Sequence, residues 1–427
     1  MPQQVTSTFL VVSPTTRPEA SETPGPILPT PSITTSIIKP TPSETAISFP
    51  TATPNTGLVQ NCLDLSDTKP QDIDINGWIV LNGQTWGKPS YLMNLTTEET
   101  LKLPKNEGDA IEDMHVSPDG NWLVYKHEKI NSGSSELVVI DNEGNPYQSF
   151  SWDISWRLVA GWLDNERIWI SQEKSSDHDV LILLNPFTGE KQELATEFPG
   201  FINLYPDPGW GWFNWSTTIY NHDLSRAIYP SGINKLILWD IQNDYATAVI
   251  TGTASLYNTP RWSSNEQVAL ITGSADLSTK PSGLESSLDR EELYSINLEG
   301  KVIRLTHLTD YFSEVDFGEY AWSPNGRYVA FNLQVEPNTY PDIYPSEKKI
   351  LSRLALFDTF TQSITDFCVP NKDLGVPVWS PTSEQLLIEN FGPGANENEI
   401  YLIDLTQSIA IKVLEDISVV GWMIEAP

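Results

Sequence analysis

The sequence predicts an all-β protein, a seven-bladed β-propeller whose blades are four-stranded antiparallel sheets. Three observations lead to this prediction. A hairpin pattern recurs six times at intervals of roughly fifty residues. Apolar and polar residues alternate along these hairpins with a period of two, and no sustained period of 3.6 is found. The two ends of the chain supply complementary parts of one further unit.

The first hairpin of each repeat has a short apolar approach, a turn rich in Ser, Pro, Asp, Asn and Gly, and an alternating run. Such turns between alternating runs are typical of β-hairpins. The six segments are VSPDGNWLVYKHE (116–128), AGWLDNERIWISQE (160–173), YNHDLSRAIYP (220–230), RWSSNEQVALITG (261–273), AWSPNGRYVAFNLQ (321–334) and VWSPTSEQLLIEN (378–390).

A second hairpin follows each of the first ones, as in RLALFDTFTQSITDFC and EIYLIDLTQSIAIKV. In the former, Leu354 and Leu356 share one face, whereas Ala355 and Phe357 share the other, which is the period of a strand. Each of the six units therefore contributes four short antiparallel strands.

The seventh blade is predicted to combine both ends of the chain. Residues 78–103 have the pattern of a second, third and fourth strand, and residues 418–425 have the pattern of a lone first strand. Pairing the C-terminal strand with the N-terminal blade closes the ring and leaves no open sheet edge between first and last blades.

The N-terminal segment differs from the rest in composition. Residues 1–60 contain 11 Pro, 13 Thr and 7 Ser, so they offer little apolar surface to offset the entropy of ordering. We therefore predict two parts: a disordered stalk or linker at 1–60 and the propeller at 61–427. A stalk is useful where a domain is held away from a surface, which favours an exported protein over a cytoplasmic one with a disordered tail.

The charge excludes some partners. The chain of 427 residues has 25 Lys and Arg against 56 Asp and Glu, a net charge of −31. Nucleic acids and anionic membranes are bound by basic surfaces, so neither is an expected partner. Neutral glycans and cationic peptides are compatible with this charge, and so is the simpler interpretation that it serves solubility. No apolar run approaches the roughly 18 residues of a transmembrane helix.

The turn-and-strand pattern, clearest in AWSPNGRYVAFN and VSPDGNWLVY, resembles the repeat of TolB-like propellers, relatives of the WD-repeat proteins. The resemblance covers residues 77–425 and implies that Ser-Pro-Asp-Gly forms the turn between first and second strands. It also implies that the preceding Trp packs between blades. The residues at this Trp position are Val116, Trp162, Tyr220, Trp262, Trp322 and Trp379.

The resemblance implies a fold more than a function. TolB is an exported protein-interaction module, prolyl oligopeptidase-like enzymes add an α/β-hydrolase domain, and oligogalacturonate lyases hold a metal with clustered histidines. No GxSxG and no α/β segment of hydrolase size occur here. The five histidines are scattered, and we nominate no catalytic residue, metal ligand or cofactor.

Long insertions are expected on one face of the ring, where the loops between second and third strands and between blades lie. We call it the loop-rich face, because long loops on a rigid scaffold commonly carry binding sites. The link at 196–220 contains PGWGWFNWS, whose flat aromatic rings suit sugars or peptide side chains. The alternative is that these rings fill a gap between two blades. The predicted ligand-binding residues are Tyr205, Trp210, Trp212, Phe213, Trp215, Tyr340 and Tyr344.

Three shorter motifs have simple interpretations. Cys62 and Cys368 are a candidate disulfide between the base of the stalk and the ring if the protein is exported, and unpaired thiols are the alternative. DIDING (72–77) resembles the start of a calcium loop, but Gly83 stands where the bidentate Glu is needed. Asn94-Leu-Thr is a glycosylation sequon.

The sequence favours a non-catalytic, extracellular, cell-surface or periplasmic module that binds a protein or a glycan through the loop-rich face. We expect a monomer, tethered through an N-terminal anchor that this sequence lacks. The alternatives are a glycan-active enzyme with acidic residues in the central channel and a structural spacer in the cell envelope.

Overall fold

The computed structural model describes most of the ring, and every described residue belongs to the unit Ile47–Pro427. The described ranges are 58–66, 73, 75–83, 89–105, 109–129, 134–152, 159–175, 178–193, 201–202, 217–230, 235–251, 260–274, 290–312, 314–335, 351–369, 373–391 and 398–424.

The described residues form short strands almost throughout, together with one 3₁₀ turn at Leu308–Asp310. In chain order the strands of the first half are β1 (Leu58–Gln60), β2 (Asp64–Ser66), β3 (Trp78–Asn82), β4 (Tyr91–Asn94), β5 (Thr100–Lys102), β6 (Ala110–Val116), β7 (Trp122–Lys129), β8 (Ser134–Asp141), β9 (Pro146–Trp152), β10 (Val159–Trp162), β11 (Ile168–Ser175), β12 (His178–Leu184), β13 (Lys191–Glu193), β14 (Phe201–Ile202), β15 (Thr217–Tyr220), β16 (Arg226–Pro230), β17 (Lys235–Asp240) and β18 (Tyr245–Thr251).

The second half continues the same pattern to the C-terminal strand. Its strands are β19 (Arg261–Trp262), β20 (Val268–Ser274), β21 (Glu291–Asn297), β22 (Val302–Arg304), β23 (Val315–Trp322), β24 (Tyr328–Val335), β25 (Leu351–Asp358), β26 (Ser363–Asp366), β27 (Asp373–Leu374), β28 (Val378–Trp379), β29 (Gln385–Phe391), β30 (Asn398–Asp404), β31 (Ile409–Glu415) and β32 (Ser418–Met423).

These strands form seven sheets, so the predicted seven-bladed propeller is confirmed. Blade 1 consists of β32 and β3–β5, blade 2 of β6–β9, blade 3 of β10–β13 and blade 4 of β15–β18, with β14 added beside β15. Blade 5 consists of β19–β22, blade 6 of β23–β26 and blade 7 of β27–β31. The first strands of several neighbouring blades contact one another, as β32, β6 and β10 do, which places first strands around the ring axis.

The ring closes within blade 1 as predicted. The C-terminal strand β32 pairs antiparallel with β3, with Ile79 opposite Trp422 and Val80 opposite Gly421. The innermost strand of the first blade therefore comes from the end of the chain. Because the pairing joins both chain ends, the hydrogen bonds of β32 with β3 hold the ring shut.

The hydrophobic core is divided among the blade interfaces. Seven buried clusters are found in the described residues, and each draws its side chains from two adjacent blades, one cluster for each interface of the ring. Each sheet thus buries both faces, which explains why strands such as β21 are buried along almost their whole length.

Residues 58–66, which we call the strap, run along the outside of the ring. Strand β1 pairs in parallel with β26, the outer strand of blade 6, and β2 pairs in parallel with β31, the outer strand of blade 7. Between them a disulfide joins Cys62 to Cys368, with Cα atoms 4.7 Å apart. The strap therefore includes Leu58–Gln60, the last three residues of the segment predicted as stalk.

The turns between first and second strands share one hydrogen-bond pattern. In blades 2, 5, 6 and 7 a serine Oγ accepts from the backbone N–H five residues on, and in blade 4 Asn221 Oδ1 does the same for Arg226 at 2.8 Å. The serines are Ser117, Ser263, Ser323 and Ser380, at 3.0, 3.3, 2.9 and 3.1 Å. We call the face that carries these turns the turn face; it is opposite the loop-rich face.

A tryptophan at the end of the first strand makes the same contact between blades in blades 3, 5, 6 and 7. The Nε1 of Trp262 donates to the carbonyl of Ile219, which precedes Tyr220, and that of Trp322 donates to Arg261, which precedes Trp262. Trp162 and Trp379 follow the same rule with His115 and Ala321. In each case the acceptor belongs to the preceding blade. It is the residue just before the one that aligns with the tryptophan in the repeat.

The interface between blades 1 and 2 has smaller residues at the equivalent positions. Val116 stands at the tryptophan position, and Gly421 is the residue before the equivalent position of blade 1. A Cβ on Gly421 would lie 2.4 Å from Cγ2 of Val116, so valine packs directly on the glycine backbone. The pair Val116–Gly421 thus replaces the indole–carbonyl contact used elsewhere.

Candidate functional site

A cavity of about 240 Å³ lies where blades 3 to 6 meet at the end of the channel near the turn face. Its walls are mostly aromatic, and its lining comes from the ends of first strands, the following turn residues and one second strand. The lining residues are Trp162, Leu163, Trp169, Ile219, Tyr220, His222, Pro260, Arg261, Trp262, Ala321 and Trp322.

The repeat explains why these side chains meet. Trp162, Tyr220, Trp262 and Trp322 occupy the same position in four successive blades, and the ring brings the ends of the first strands around one axis. Trp162 and Tyr220 are almost wholly buried, whereas Trp262 and Trp322 are half-buried. The accessible aromatic surface of the cavity therefore comes mainly from Trp262 and Trp322.

The orientation of these two rings is set by the blade contacts. Trp262 Nε1 donates to the Ile219 carbonyl at 3.4 Å, and Trp322 Nε1 donates to the Arg261 carbonyl at 3.3 Å. Each indole has a single polar atom, a donor, and in both rings this atom is used within the protein. What the two rings present to the cavity is therefore carbon surface in a fixed position.

One charged residue, Arg261, lines the cavity beside the tryptophans, and its partner Glu319 lies next to it, outside the lining. An Nη atom of Arg261 lies 3.4 Å from Oε2 of Glu319, and each side chain is 21% exposed. The Arg261 guanidinium also lies 5.9 Å from the ring centre of Tyr320, a cation–π distance. The wall thus holds a donor group, and the carboxylate next to it offsets its charge.

A second pair lies at the rim, where the turns of blades 4 and 5 meet. Glu266 accepts from the backbone N–H groups of His222 and Asp223 at 3.0 and 3.2 Å, and His222 Nδ1 lies 2.5 Å from Oε1 of Glu266. Glu266 has a φ of +61°, in the left-handed region that favours glycine. Gly120 and Gly326 occupy the equivalent turn position in blades 2 and 6. Blade 5 has a glutamate there instead, and its side chain joins the turns of blades 4 and 5.

Two buried ionisable groups lie elsewhere in the ring. Burial lowers the pKa of His115, on the first strand of blade 2, to about 4. Burial also raises the pKa of Glu389, on the second strand of blade 7, to about 7, although its carboxylate accepts from the backbone N–H of Val419 and from the Asn398 amide. Glu389 therefore contacts the closing strand β32 near its first residues.

The residues predicted to bind a ligand lie outside the described residues. This applies to Tyr205, Trp210, Trp212, Phe213 and Trp215, and equally to Tyr340 and Tyr344. Their role stays a prediction. The cavity is lined by other residues, most of them near the ends of first strands at the turn face. A signal for it was present in the sequence, because equivalent aromatic positions in adjacent blades must converge in a closed ring.

Two of the short motifs have structural roles. Ile73 and Ile75 of DIDING are buried in the core between blades 7 and 1, and the carbonyl of Asn76 accepts from Trp422 at 2.9 Å. Asn94 is buried, and its Oδ1 accepts from the N–H groups of Thr96 and Thr97, so its sequon caps a turn.

The described residues contain neither a metal-binding cluster nor a membrane-spanning helix. Within them, no group of three or more His, Cys, Asp and Glu side chains is arranged to hold a metal ion. No helix in this part of the chain has the length and hydropathy to cross a bilayer.

The seven four-stranded sheets and the repeated turn and tryptophan contacts define a seven-bladed β-propeller. No family model and no curated protein sequence matches the chain. Solved structures are similar to it at low identity. TolB from Acinetobacter baumannii is 13% identical, with 82% of this chain and 81% of that chain covered and a TM-score of 0.42.

Two further structures illustrate the spread of proteins with this fold. The oligogalacturonate lyase of Vibrio parahaemolyticus is 11% identical, with 80% and 87% of the two chains covered and a TM-score of 0.49. The Cps50 (Swd1) β-propeller domain of Myceliophthora thermophila is 11% identical, with 83% and 98% covered and a TM-score of 0.41. The likeness concerns the fold alone.

Proposed function

We propose that the chain is an exported binding module that holds a protein or glycan ligand without transforming it. The observation that carries this proposal is the aromatic cavity of about 240 Å³ at the end of the channel. Two half-buried indoles line it, with their N–H groups already used, so the site offers a rigid surface for contact. Rigid sites bind with a smaller loss of conformational entropy than flexible ones.

The disulfide supports an oxidising location. Disulfides persist in secreted and periplasmic proteins and are rare in the cytosol. The bond between Cys62 and Cys368 joins the strap to blade 6, directly after the segment predicted as a stalk. An extracellular, cell-surface or periplasmic protein fits both features, and the stalk would hold the ring away from its anchor.

A cavity-filling variant tests the cavity. Ala321 lines it, and Ala321→Leu adds volume there while keeping the backbone carbonyl that accepts from Trp379. The matched control is Ala246→Leu, at an exposed position on the outer strand of blade 4. The wild type and both variants are screened against a glycan array and a displayed peptide library, with product release from any bound polysaccharide measured in parallel.

Ligands that bind the wild type and Ala246→Leu but not Ala321→Leu support the proposal. Turnover of a bound glycan would instead favour the enzyme alternative. A second variant, Trp210→Ala with Trp212→Ala, tests the loop-rich face separately. If neither the cavity variant nor the loop variant changes binding of any ligand, the proposed function is wrong.

A further inference from the structure

We infer that the cavity binds one neutral sugar ring of a longer glycan, stacked on Trp262 and Trp322 and hydrogen-bonded by Arg261 and Glu319. The inference rests on the proposed function and names its ligand class. Four properties of the site carry it: the ring surfaces, the paired polar groups, the charge and the size.

The ring surfaces suit a sugar. Trp262 and Trp322 occupy equivalent positions in adjacent blades, and the backbone carbonyls of Ile219 and Arg261 use their N–H groups. Only the faces and carbon edges remain for a ligand. The C–H groups of a pyranose contact aromatic faces through dispersion, and ring orientation is already set before binding.

The polar pair suits hydroxyl groups. A guanidinium has five N–H donors and a carboxylate accepts through two oxygens, whereas the contact between Arg261 and Glu319 is a single one at 3.4 Å. A sugar hydroxyl both donates and accepts, so neighbouring hydroxyls can bind the two side chains together. Arg261 lines the cavity together with both tryptophans, and Glu319 is within reach of a ligand that binds the Arg261 guanidinium.

The same pair disfavours other ligands. An apolar side chain would bury Arg261 and Glu319 without offering them hydrogen bonds, which is costly. A cationic group would meet the Arg261 guanidinium in the wall. An acidic sugar would have to compete with Glu319 for the guanidinium and approach a chain of net charge −31.

The size limits how much of the ligand enters. Pockets for drug-sized ligands have volumes of roughly 300–1,000 Å³, and the cavity has about 240 Å³. It therefore accommodates a single ring, and the remaining units of the glycan would extend over the turn face.

The test uses the full chain and a defined panel of probes. Cellotetraose, maltotetraose, xylotetraose, mannotetraose and chitotetraose are the neutral probes, and tetragalacturonate is the acidic one; binding is measured by calorimetry. The key variant, Arg261→Met with Glu319→Leu, removes both polar partners and keeps the cavity shape and the backbone acceptor. Its control removes an ion pair on the outer strands of blade 7, Lys412→Met with Glu399→Leu.

We expect at least one neutral probe to bind, with an affinity at least tenfold weaker in the Arg261/Glu319 variant and in Ala321→Leu, and unchanged in the Lys412/Glu399 control. Thermal unfolding checks that each variant folds; if the double variant does not, Ala321→Leu alone decides. Binding of tetragalacturonate only, or of no saccharide, overturns the inference. If Ala321→Leu then abolishes binding of a peptide selected from the displayed library, the proposed function still stands.

Discussion

The indole Nε1 of Trp322 donates a hydrogen bond to the backbone carbonyl of Arg261, 3.3 Å away, and so joins blade 6 to blade 5. The same two residues also line the cavity. One contact thus serves both the assembly of the ring and the shape of the candidate site. The stability of the blade interface and the geometry of the site are therefore coupled at this position.

Replacing Trp322 with Phe is expected to lower the free energy of unfolding by about 1–2 kcal/mol, because the Arg261 carbonyl loses its donor and part of the buried ring is removed. Tyr245→Phe is the control, since this ring is 65% exposed on the outer strand of blade 4. Urea unfolding of both variants measures the difference. Equal stability of Trp322→Phe and the wild type would contradict the role assigned to the indole.

At Glu266 the cost of a strained backbone opposes the gain from two hydrogen bonds of the side chain. Its side chain accepts from His222 and Asp223 at a φ of +61°. Glu266→Ala should cost about 1–3 kcal/mol, because it removes the acceptor and keeps the strained backbone. Glu266→Gly should cost about 1 kcal/mol less, since glycine tolerates this φ.

The matched position for this comparison is Glu98, an exposed glutamate with a φ of +59°. Glu98→Gly is expected to change stability by less than about 1 kcal/mol. Thermal unfolding gives the order of the variants. If Glu266→Ala were as stable as the wild type, the contact between the turns of blades 4 and 5 would contribute nothing measurable.

The disulfide is expected to hold the strap on blades 6 and 7. Cys62→Ser with Cys368→Ser should lower stability by about 2–5 kcal/mol, in the range typical for loss of a native disulfide. Hydrogen exchange should rise in β26 and β31, whose outer edges the strap covers. The wild type under reducing conditions should match the variant. Unchanged exchange in both strands would show that the strap stays in place without the bond.

Stability should depend on pH through Glu389, whose pKa burial raises to about 7. Between pH 4.5 and 7 the folded state holds a proton that the unfolded state releases, so this group's contribution is lost as the pH rises. His115 acts in the opposite sense: its pKa is lowered to about 4, so its contribution is lost as the pH falls from 6.5.

The difference between the wild type and Glu389→Gln isolates the glutamate. Glutamine keeps an acceptor for Val419 and does not titrate, so the variant should gain stability relative to the wild type as the pH rises from 5 to 8. Urea unfolding at several pH values measures this gain, which should be no more than about 3 kcal/mol. A difference that does not change with pH would contradict the raised pKa.

Several features of the ring could be predicted from the sequence because they are local and repeated. Alternation in segments such as 321–334 predicts strands, and the Ser-Pro-Asn-Gly turn predicts their hairpin. Complementary ends predict closure by β32. The strands and turns depend on residues that are neighbours in the chain, and the closure follows from counting the repeats. Predicting them requires no knowledge of distant contacts.

The candidate site could not be predicted in the same way. Trp162, Trp262 and Trp322 are separated by 60 to 160 positions, and each one taken alone resembles a residue of the blade interface. The partial exposure of Trp262 and Trp322 depends on how the assembled blades surround the cavity. The aromatic residues that the sequence did single out, Trp210 among them, lie outside the described residues.

The strap shows the same division. The sequence by itself determined an all-β ring of seven repeats, since periodicity and turn chemistry act over a few residues. Only the tertiary structure decided that Leu58–Gln60 and Asp64–Ser66 lie on the outer edges of blades 6 and 7, and that Arg261 stands between two tryptophans at a cavity. Edge pairing and cavity shape depend on surfaces that exist only after the blades have assembled.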